Sequence, residues 1–423
     1  MGKKCNRMLI VSNNPLSETQ NNGKTIASFI EGIPKERVHQ LYFSSENPSI
    51  KGYSYFQLSD IDVLYGICNK NKRGRVWKES ISQNEVSDKN KSIKKNAFTS
   101  ILRELLWTGK WKSSQLIEWL DEFRPDVIFF VAGDSGFAYN IVKFIANRYK
   151  SRVITYITDD YIMPRSQESI GEKFIRMNIR KKMIICIKKS QDYFTISEPM
   201  KEAYFSLSGK KSRLLMNITP SLKDEKSNDS RNVNNITAIY TGSLYYNRDK
   251  ILGMIADAAL QYNSQLSNFG KKIIIKVYSN NEPGEKGKKI FEREGGCVFC
   301  GSLGKDEVKK ALNKADILLF VEAFNPEIQE KTKYSLSTKV PEYMSIGKPI
   351  FAIGPENIGS MKYLQDVAFC AFSEADIYKV MTEMLLSDKN MMKKAEAARA
   401  KFEQLHDPQK ARKIFRMVCG MDI

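Results

Sequence analysis

Short apolar runs alternate with amphipathic segments along the whole chain, and the same order occurs twice. In the first half the apolar runs are "RMLIVSNN", "RVHQLYFS", "PDVIFFVAGD" and "RVITYITDD", and the segment "GFAYNIVKFIANRY" between the last two has helical spacing. Runs that are apolar at every position are typical of parallel strands covered by helices on both faces. The first half is therefore predicted to be a doubly wound α/β domain.

The same pattern restarts near residue 236. Its apolar runs are "ITAIYTGSL", "KIIIKVYS", "CVFCGSL", "ADILLFVE", "KPIFAIG" and "VAFCAF", with helical segments between them. Residues 217–235 are polar and turn-rich, which predicts a linker. We expect domains at 1–216 and 236–387, followed by helices at 388–423. Because ligands bind beyond the carboxyl ends of such strands, the expected site is the cleft between the domains.

The charge of the chain is strongly positive and uneven. Its formal net charge is +19 over 423 residues, and residues 1–220 carry 36 basic and 22 acidic side chains. Such an excess of basic residues favours an anionic partner, and a nucleic acid, a phospholipid surface and a phosphate-bearing substrate are the three alternatives. Dispersed cysteines, no apolar run of membrane-spanning length and no signal-peptide core indicate a cytoplasmic protein. With two histidines and one Cys-x-x-Cys, no metal site is predicted.

The stretch "STKVPEYMSIGKPIFAIGP" predicts an anion site at the start of a helix. Ser337 or Thr338 is a candidate N-cap, and Pro341 favours Thr338 because proline is tolerated in the first turn. Free N–H groups, the helix dipole and Lys339 would attract a diphosphate. Glu342, one turn further, would accept hydrogen bonds from a ribose diol. The alternative is a capped surface helix with an ion pair between Lys339 and Glu342.

This stretch resembles the donor-binding segment of retaining glycosyltransferases of the GT-B fold, especially glycosyltransferase family 4. A second segment, "YTGSLYYNRDK", resembles the strand and loop that open the second domain of that family. The resemblance implies two facing Rossmann-like domains and C-terminal helices at 388–423 that cross back to the first. It also implies transfer of a sugar from a nucleotide diphosphate donor with retention of configuration, and no metal or cofactor.

The resemblance assigns further donor-site residues. Gly242 would let the backbone approach the donor phosphates, and Arg248 stands where the family usually has a phosphate-binding lysine. Ser243 replaces a second phosphate-binding arginine of many members. The family's first glutamate corresponds to Tyr334, so Glu322, Glu327 and Glu330 are candidate substitutes. We expect Arg248 and Lys339 to act in catalysis by stabilising the leaving phosphate.

Candidate acceptor residues lie in the first half. Asp159 and Asp160 follow a predicted strand and would orient the acceptor or the donor sugar as catalytic residues, or else cap a helix. Asp134 in "VAGDSGF" has the same two interpretations. Asn22 and Gly23 would present backbone N–H groups to the acceptor, or simply begin a capped helix.

The basic residues of the first half suggest that the acceptor is bound to a membrane. In "EKFIRMNIRKKMIICIKKSQ" apolar and basic residues alternate as in an amphipathic helix on an anionic leaflet, although a core helix with a solvated basic face fits too. Family members with this charge asymmetry often extend lipid-linked glycans. We therefore hypothesise a peripheral enzyme of the inner membrane face, acting on a polyprenyl-diphosphate-linked saccharide in bacterial polysaccharide biosynthesis.

Two other functions are compatible with the sequence. A nucleotide-sugar epimerase of similar fold would need acid–base residues around the sugar, which a chain with two histidines supplies poorly. A basic nucleic-acid-binding protein would fit the charge, but no helix-turn-helix, zinc-finger or aromatic RNA-binding motif occurs, so a nucleic-acid partner is not expected.

Overall fold

The chain forms two compact units. A computed structural model describes residues 6–18, 21–66, 73–77, 97–223, 235–266, 270–291 and 296–421. The first unit comprises residues 1–216 and 409–423, and the second comprises residues 217–408. No helix in the described part of the chain is long and apolar enough to cross a membrane.

The first unit is built on an eight-stranded sheet in which neighbouring strands are parallel, except that β4 runs antiparallel to β3. Its strands and helices up to residue 208 are β1 (Met8–Ser12), α1 (Asn21–Ile30), β2 (Val38–Tyr42), β3 (Ser54–Gln57), α2 (Asp60–Tyr65), β4 (Arg75–Trp77), α3 (Ala97–Trp107), α4 (Ser114–Phe123), β5 (Val127–Ala132), α5 (Gly136–Tyr149), β6 (Arg152–Ile157), α6 (Ile170–Lys189), β7 (Asp192–Thr195) and α7 (Glu198–Ser208). The short strand β8 (Arg213–Leu214) completes the sheet, whose order is β4-β3-β2-β1-β5-β6-β7-β8.

The second unit is built on a six-stranded parallel sheet of order β11-β10-β9-β12-β13-β14. Its elements are β9 (Asn235–Thr241), α8 (Arg248–Ser264), β10 (Lys272–Tyr278), α9 (Glu285–Phe291), β11 (Cys297–Phe299), α10 (Lys305–Lys314), β12 (Ile317–Val321), α11 (Pro326–Thr332), α12 (Lys339–Ile346), β13 (Ile350–Ile353), α13 (Gly359–Leu364), β14 (Phe369–Ala371), α14 (Ile377–Leu385) and α15 (Asp388–Leu405).

The predicted alternation of strands and helices is confirmed. Each of the ten apolar runs named from the sequence contains a strand, and β1, β5 and β12 are buried at every position. Burial on both faces explains why these strands lack the polar alternation of a one-sided sheet. In each sheet the strand order reverses next to the first strand, between β1 and β5 and between β9 and β12, and ligands of such sheets bind at that point.

The C-terminal helices divide between the two units. The sequence predicted that all helices in residues 388–423 pack on the first domain. Residues 388–408 instead belong to the second unit, because α15 packs against α12. Only the following helix, α16 (Pro408–Cys419), packs on the first unit. There Phe415 is fully buried, with its ring 5.9 Å from that of Phe29 and 5.0 Å from that of Phe129.

The predicted linker is only partly described. Residues 224–234 lie outside the described residues, and residues 217–223 belong to the second unit. Asn217 is buried, its side-chain amide donates to the Leu336 carbonyl at 3.0 Å, and its own carbonyl lies 2.8 Å from the His406 Nδ1. The first residues of the predicted linker are therefore packed against the second unit.

Candidate functional site

Residues from three separate stretches meet at the strand reversal of the second sheet. Gly242 and Ser243 follow β9, Glu322 follows β12, Arg248 opens α8 and Lys339 opens α12. The carboxyl ends of β9 and β12 are adjacent in the sheet, and the helices that begin there present their N-terminal ends to the same place. The structure thus brings together the predicted phosphate-binding residues, which are distant in sequence.

Lys339 is a partly buried cation without a counter-ion. Its Nζ lies directly over Gly242, where any Cβ would overlap it, and 5.1 Å from the centroid of the Tyr240 ring. It makes no hydrogen bond or ion pair with any residue that the structure describes. Burial and the nearby charge of Arg248 lower the Lys339 pKa to about 8, although Glu322 and Glu342 act in the opposite direction. The ammonium group is therefore placed to receive an anion.

Arg248 is held by a carboxylate and keeps one donor free. Its guanidinium forms a 2.6 Å ion pair with Glu322 and donates to the Ser243 hydroxyl at 3.2 Å. Burial opposes the charge, but Glu322 outweighs it, so the Arg248 pKa is raised. The Nε of Arg248 is buried without a hydrogen-bond partner. Glu322 forms its ion pair with Arg248 alone, and Glu342 acts on Lys339 only from beyond ion-pair distance, so the Lys339 ammonium group has no direct ionic partner among the described residues.

The N-terminus of α12 has no side-chain cap. Thr338 precedes the helix as predicted, but its φ of −61° and ψ of −23° are already helical, and its side chain makes no capping hydrogen bond. Ser337 instead accepts from the Val340 N–H through its carbonyl at 3.1 Å, and its own N–H donates to the Ser360 hydroxyl at 3.0 Å. Glu342 lies half-buried in the first turn. A ligand anion could take the place of the missing cap.

A strained loop borders this cluster and was not predicted. Tyr246 and Asn247, just before α8, have φ values of 63° and 61°, in a left-handed region that asparagine tolerates but tyrosine rarely adopts. The Tyr245 and Tyr246 side chains are exposed. Asn247 is a residue type that favours such a conformation, but nothing in the sequence indicated it for Tyr246. Strain of this kind is retained mainly where function requires the geometry.

In the first unit, Asn22 and Gly23 lie in the first turn of α1, close to where they were predicted to begin a helix. Gly23 touches the preceding loop so closely that a Cβ would overlap the Pro15 carbonyl oxygen. The Asn22 amide donates to the Thr158 hydroxyl at 3.2 Å, just beyond β6. These contacts tie the start of α1 to the carboxyl ends of β1 and β6.

The two adjacent aspartates beyond β6 have different surroundings. Asp160 is buried, and its Oδ1 accepts hydrogen bonds from the N–H groups of Ile162 and Met163 and from the Tyr204 hydroxyl, at 3.1–3.2 Å. These bonds hold the loop after β6. Asp159 is half-buried and accepts from the Thr158 hydroxyl at 3.1 Å. Asp159 is therefore the more accessible carboxylate of the two.

Asp134 follows β5, the strand beside the one that precedes Asp159. Asp134 is exposed after β5 and accepts from the Ser135 hydroxyl at 3.3 Å. Burial raises the Tyr161 pKa, and the negative charges of Asp159 and Asp134 raise it further. The two carboxylates thus lie near one phenol at the carboxyl ends of β5 and β6, beside the strand reversal of the first sheet.

Known proteins resemble this chain in structure but not in sequence. No protein-family model and no curated protein sequence matches it. One similar structure is the N-terminal domain of a trehalose-6-phosphate phosphatase from Candida albicans, with a TM-score of 0.64, 10% identity, and coverage of 100% of this chain and 98% of that one.

Of two further similar structures, one contains a nucleotide sugar and the other is described as a glycosyltransferase. An E. coli structure described as trehalose-6-phosphate bound with UDP-2-fluoro glucose has a TM-score of 0.61 and 11% identity, with 99% of both chains covered. WaaG, described as a glycosyltransferase involved in lipopolysaccharide biosynthesis, has a TM-score of 0.54 and 12% identity, covering 96% of this chain and 99% of that one. At these identities the matches establish the α/β fold of GT-B glycosyltransferases, as predicted.

Proposed function

We propose that this protein is a glycosyltransferase that takes a sugar from a nucleoside diphosphate donor bound to the second unit. The observation that carries the proposal is the Lys339 ammonium group, which sits over Gly242 without a counter-ion at the uncapped N-terminus of α12. A diphosphate supplies the missing negative charge, and the absence of a Cβ at Gly242 leaves room for the Lys339 ammonium group that would bind it. Glu342 would accept hydrogen bonds from the ribose.

The same groups explain how transfer would be accelerated. Negative charge grows on the phosphate as the bond between the sugar and the leaving oxygen breaks, so fixed cations stabilise the transition state more than the ground state. Arg248 and Lys339 supply that charge, and Glu322 positions Arg248 through its ion pair. The family resemblance supports retention of the anomeric configuration of the sugar. In that mechanism the acceptor hydroxyl attacks the same face of the sugar from which the leaving group departs.

The acceptor residues belong to the first unit in this proposal. Asp159 and Asp134 would orient hydroxyl groups of the reacting sugars, and Asn22 and Gly23 at the start of α1 would bind the acceptor. Asp160 would act indirectly, because its carboxylate already holds the loop that carries Asp159.

The surface of α6 supports a lipid-linked acceptor. Its buried face consists of Ile179, Met183 and Ile187, yet Phe174 and Met177 on another face are exposed. The helix also carries seven basic residues and one acidic residue. An exposed apolar and basic helix favours contact with an anionic membrane. We therefore propose a peripheral enzyme whose acceptor is a saccharide on a polyprenyl diphosphate.

Thermal-shift titration with a panel of nucleoside diphosphates and their sugars tests the donor site. One of them should raise the melting temperature of the wild type, because a ligand of the folded state stabilises it. Lys339→Ala should abolish the shift, whereas Lys331→Ala, which removes an exposed lysine paired with Glu327, should preserve it. A full shift in Lys339→Ala would refute the donor assignment.

Turnover distinguishes the proposed transferase from an epimerase. With the donor identified, Lys339→Ala and Arg248→Ala should lower turnover by roughly ten- to a thousandfold, the range for loss of one charge stabiliser. Incubation with the nucleotide sugar alone should give no isomerised sugar. Isomerisation without an acceptor would establish the epimerase instead.

A further inference from the structure

A cavity of about 330 Å³ opens to the surface of the first unit, between α3, α5 and α6. Most of its lining is apolar, and its aromatic residues are Trp107, Trp111, Phe137 and Phe174. An engineered apolar cavity of about 150 Å³ is large enough to bind benzene. A cavity of twice that volume can therefore hold a longer hydrocarbon ligand.

Polar groups are concentrated on one part of the cavity wall. Lys182 and Glu104 form an ion pair at 3.2 Å, and Glu104 also accepts from the Phe137 N–H at 3.2 Å. The side-chain amides of Asn140 and Asn178 line the cavity and make no hydrogen bond to the described part of the chain. An apolar wall with a few convergent polar groups is typical of a site for an amphiphilic small molecule.

Two apolar stripes on the surface lead to this cavity. On α3, Phe98, Leu102 and Leu105 are 48–68% exposed at helical spacing. On α6, Ile170, Phe174 and Met177 repeat that spacing and are 55–91% exposed. The two helices pack against each other, and Leu105 and Phe174 also line the cavity. The exposed stripes and the cavity therefore form one continuous apolar surface.

Charge favours a lipid over a protein as the occupant of this surface. Five basic residues of α6 have no ion pair within the described ranges, namely Lys173, Arg180, Lys181, Lys188 and Lys189. Uncompensated basic side chains beside exposed apolar ones match the anionic head groups and hydrocarbon interior of a membrane.

We propose that the cavity between α3, α5 and α6 takes up one hydrocarbon chain of an anionic membrane lipid, with the head group at the basic side chains of α6. This inference rests on the membrane association proposed above and adds a specific lipid-binding site to it. It is independent of the transfer reaction and of the lipid that carries the acceptor. Burial of the chain adds an apolar contribution to an otherwise electrostatic and salt-sensitive attachment.

Quenching of tryptophan fluorescence by brominated lipid tests the proposal on the full chain. Trp107 and Trp111 line the cavity and are at most 5% exposed, so a brominated chain that enters the cavity comes into contact with both rings. Vesicles containing phosphatidylglycerol brominated in its acyl chains should quench the wild type. Asn178→Phe, which fills the cavity, should bind the vesicles in flotation yet lose most of the quenching.

Met177→Phe is the matched control, because Met177 is the neighbouring residue, is exposed and does not line the cavity. It should keep both flotation and quenching. Equal quenching of Asn178→Phe and the wild type would overturn the chain proposal while leaving membrane binding intact. If the wild type does not float with the vesicles, the proposed membrane association itself would be refuted.

A water-soluble probe gives a second readout in case Asn178→Phe fails to fold. Dodecyl phosphate below its micellar concentration should alter the wild-type tryptophan emission, and inorganic phosphate should not. Ile175→Phe, another cavity-filling change, should weaken dodecyl phosphate binding by about tenfold or more. A response to inorganic phosphate of the same size would mean a head-group site without a chain site. A response only to a polyprenyl phosphate would assign the cavity to the acceptor lipid and overturn the proposal.

Discussion

Replacing Lys339 by methionine should make the protein more stable and abolish its binding of the anionic ligand. Methionine keeps the apolar stem and removes an ammonium group that burial and Arg248 disfavour. The Lys339 pKa falls from 10.5 to about 8, and lowering a pKa by one corresponds to a free-energy difference of about 1.4 kcal/mol. The charged lysine therefore costs the folded state about 3 kcal/mol at pH 7.

The pH dependence of this gain follows from the lowering of the Lys339 pKa on folding. Between pH 8 and 10.5 the unfolded chain holds the Lys339 proton and the folded chain releases it, so the stability of the wild type rises with pH. The penalty is complete below pH 8 and is relieved above it. The advantage of Lys339→Met should thus fall from about 3 kcal/mol at pH 7 to about 1 kcal/mol at pH 10.

Urea unfolding at the two pH values measures this advantage. All four tryptophans lie in the first unit, so their fluorescence reports on that unit, whereas circular dichroism reports on both. Lys339→Met should shift the dichroism midpoint upward at pH 7, and Lys331→Met should not. No gain at pH 7, or the same gain at pH 10, would refute the claim that Lys339 is held without a counter-ion.

Three further outcomes are expected at the same site. Above pH 8 the wild-type lysine loses its proton, so the dissociation constant of its ligand should rise about tenfold per pH unit. In Lys339→Arg the dissociation constant should not change over this range, because arginine stays charged; isothermal titration over pH 7–10 would measure both. Gly242→Ala should raise the donor KM, since its Cβ overlaps the Lys339 Nζ and would displace the ammonium group; an unchanged KM would contradict the close approach. Glu322→Gln should destabilise the protein by about 3 kcal/mol by leaving Arg248 buried without its partner. Nucleoside diphosphate should then raise the melting temperature more than in the wild type, and a smaller rise would mean that Glu322 serves the ligand directly.

The fold was predictable wherever burial leaves a long apolar run. β5 has six buried residues and is visible from sequence alone, but β3 and β7 have only four residues each and begin with the polar residues Ser54 and Asp192. Such short strands are defined by the neighbours with which they pair. The assignment of residues 388–408 failed for a related reason, because an amphipathic helix does not reveal which of two apolar surfaces it will cover.

The candidate site was predictable only as far as it consists of local motifs. Lys339 lies at a helix start that can be read from its own stretch, and Gly242 and Arg248 lie in a stretch that was identified by its resemblance to a family segment. The ion pair between Arg248 and Glu322 joins residues 74 positions apart and depends on the adjacency of β9 and β12. The positive φ of Tyr246 is a property of the folded loop, and no residue type in the sequence indicates it.

The position of α16 affects how the protein can fold as it is synthesised. Phe29 and Phe129 are covered by Phe415, and the 192 residues of the second unit are translated before α16. At 5–20 residues per second, that delay is roughly 10–40 s. The nascent first unit must wait through it with an open apolar face, which makes it a candidate substrate for chaperones on the ribosome.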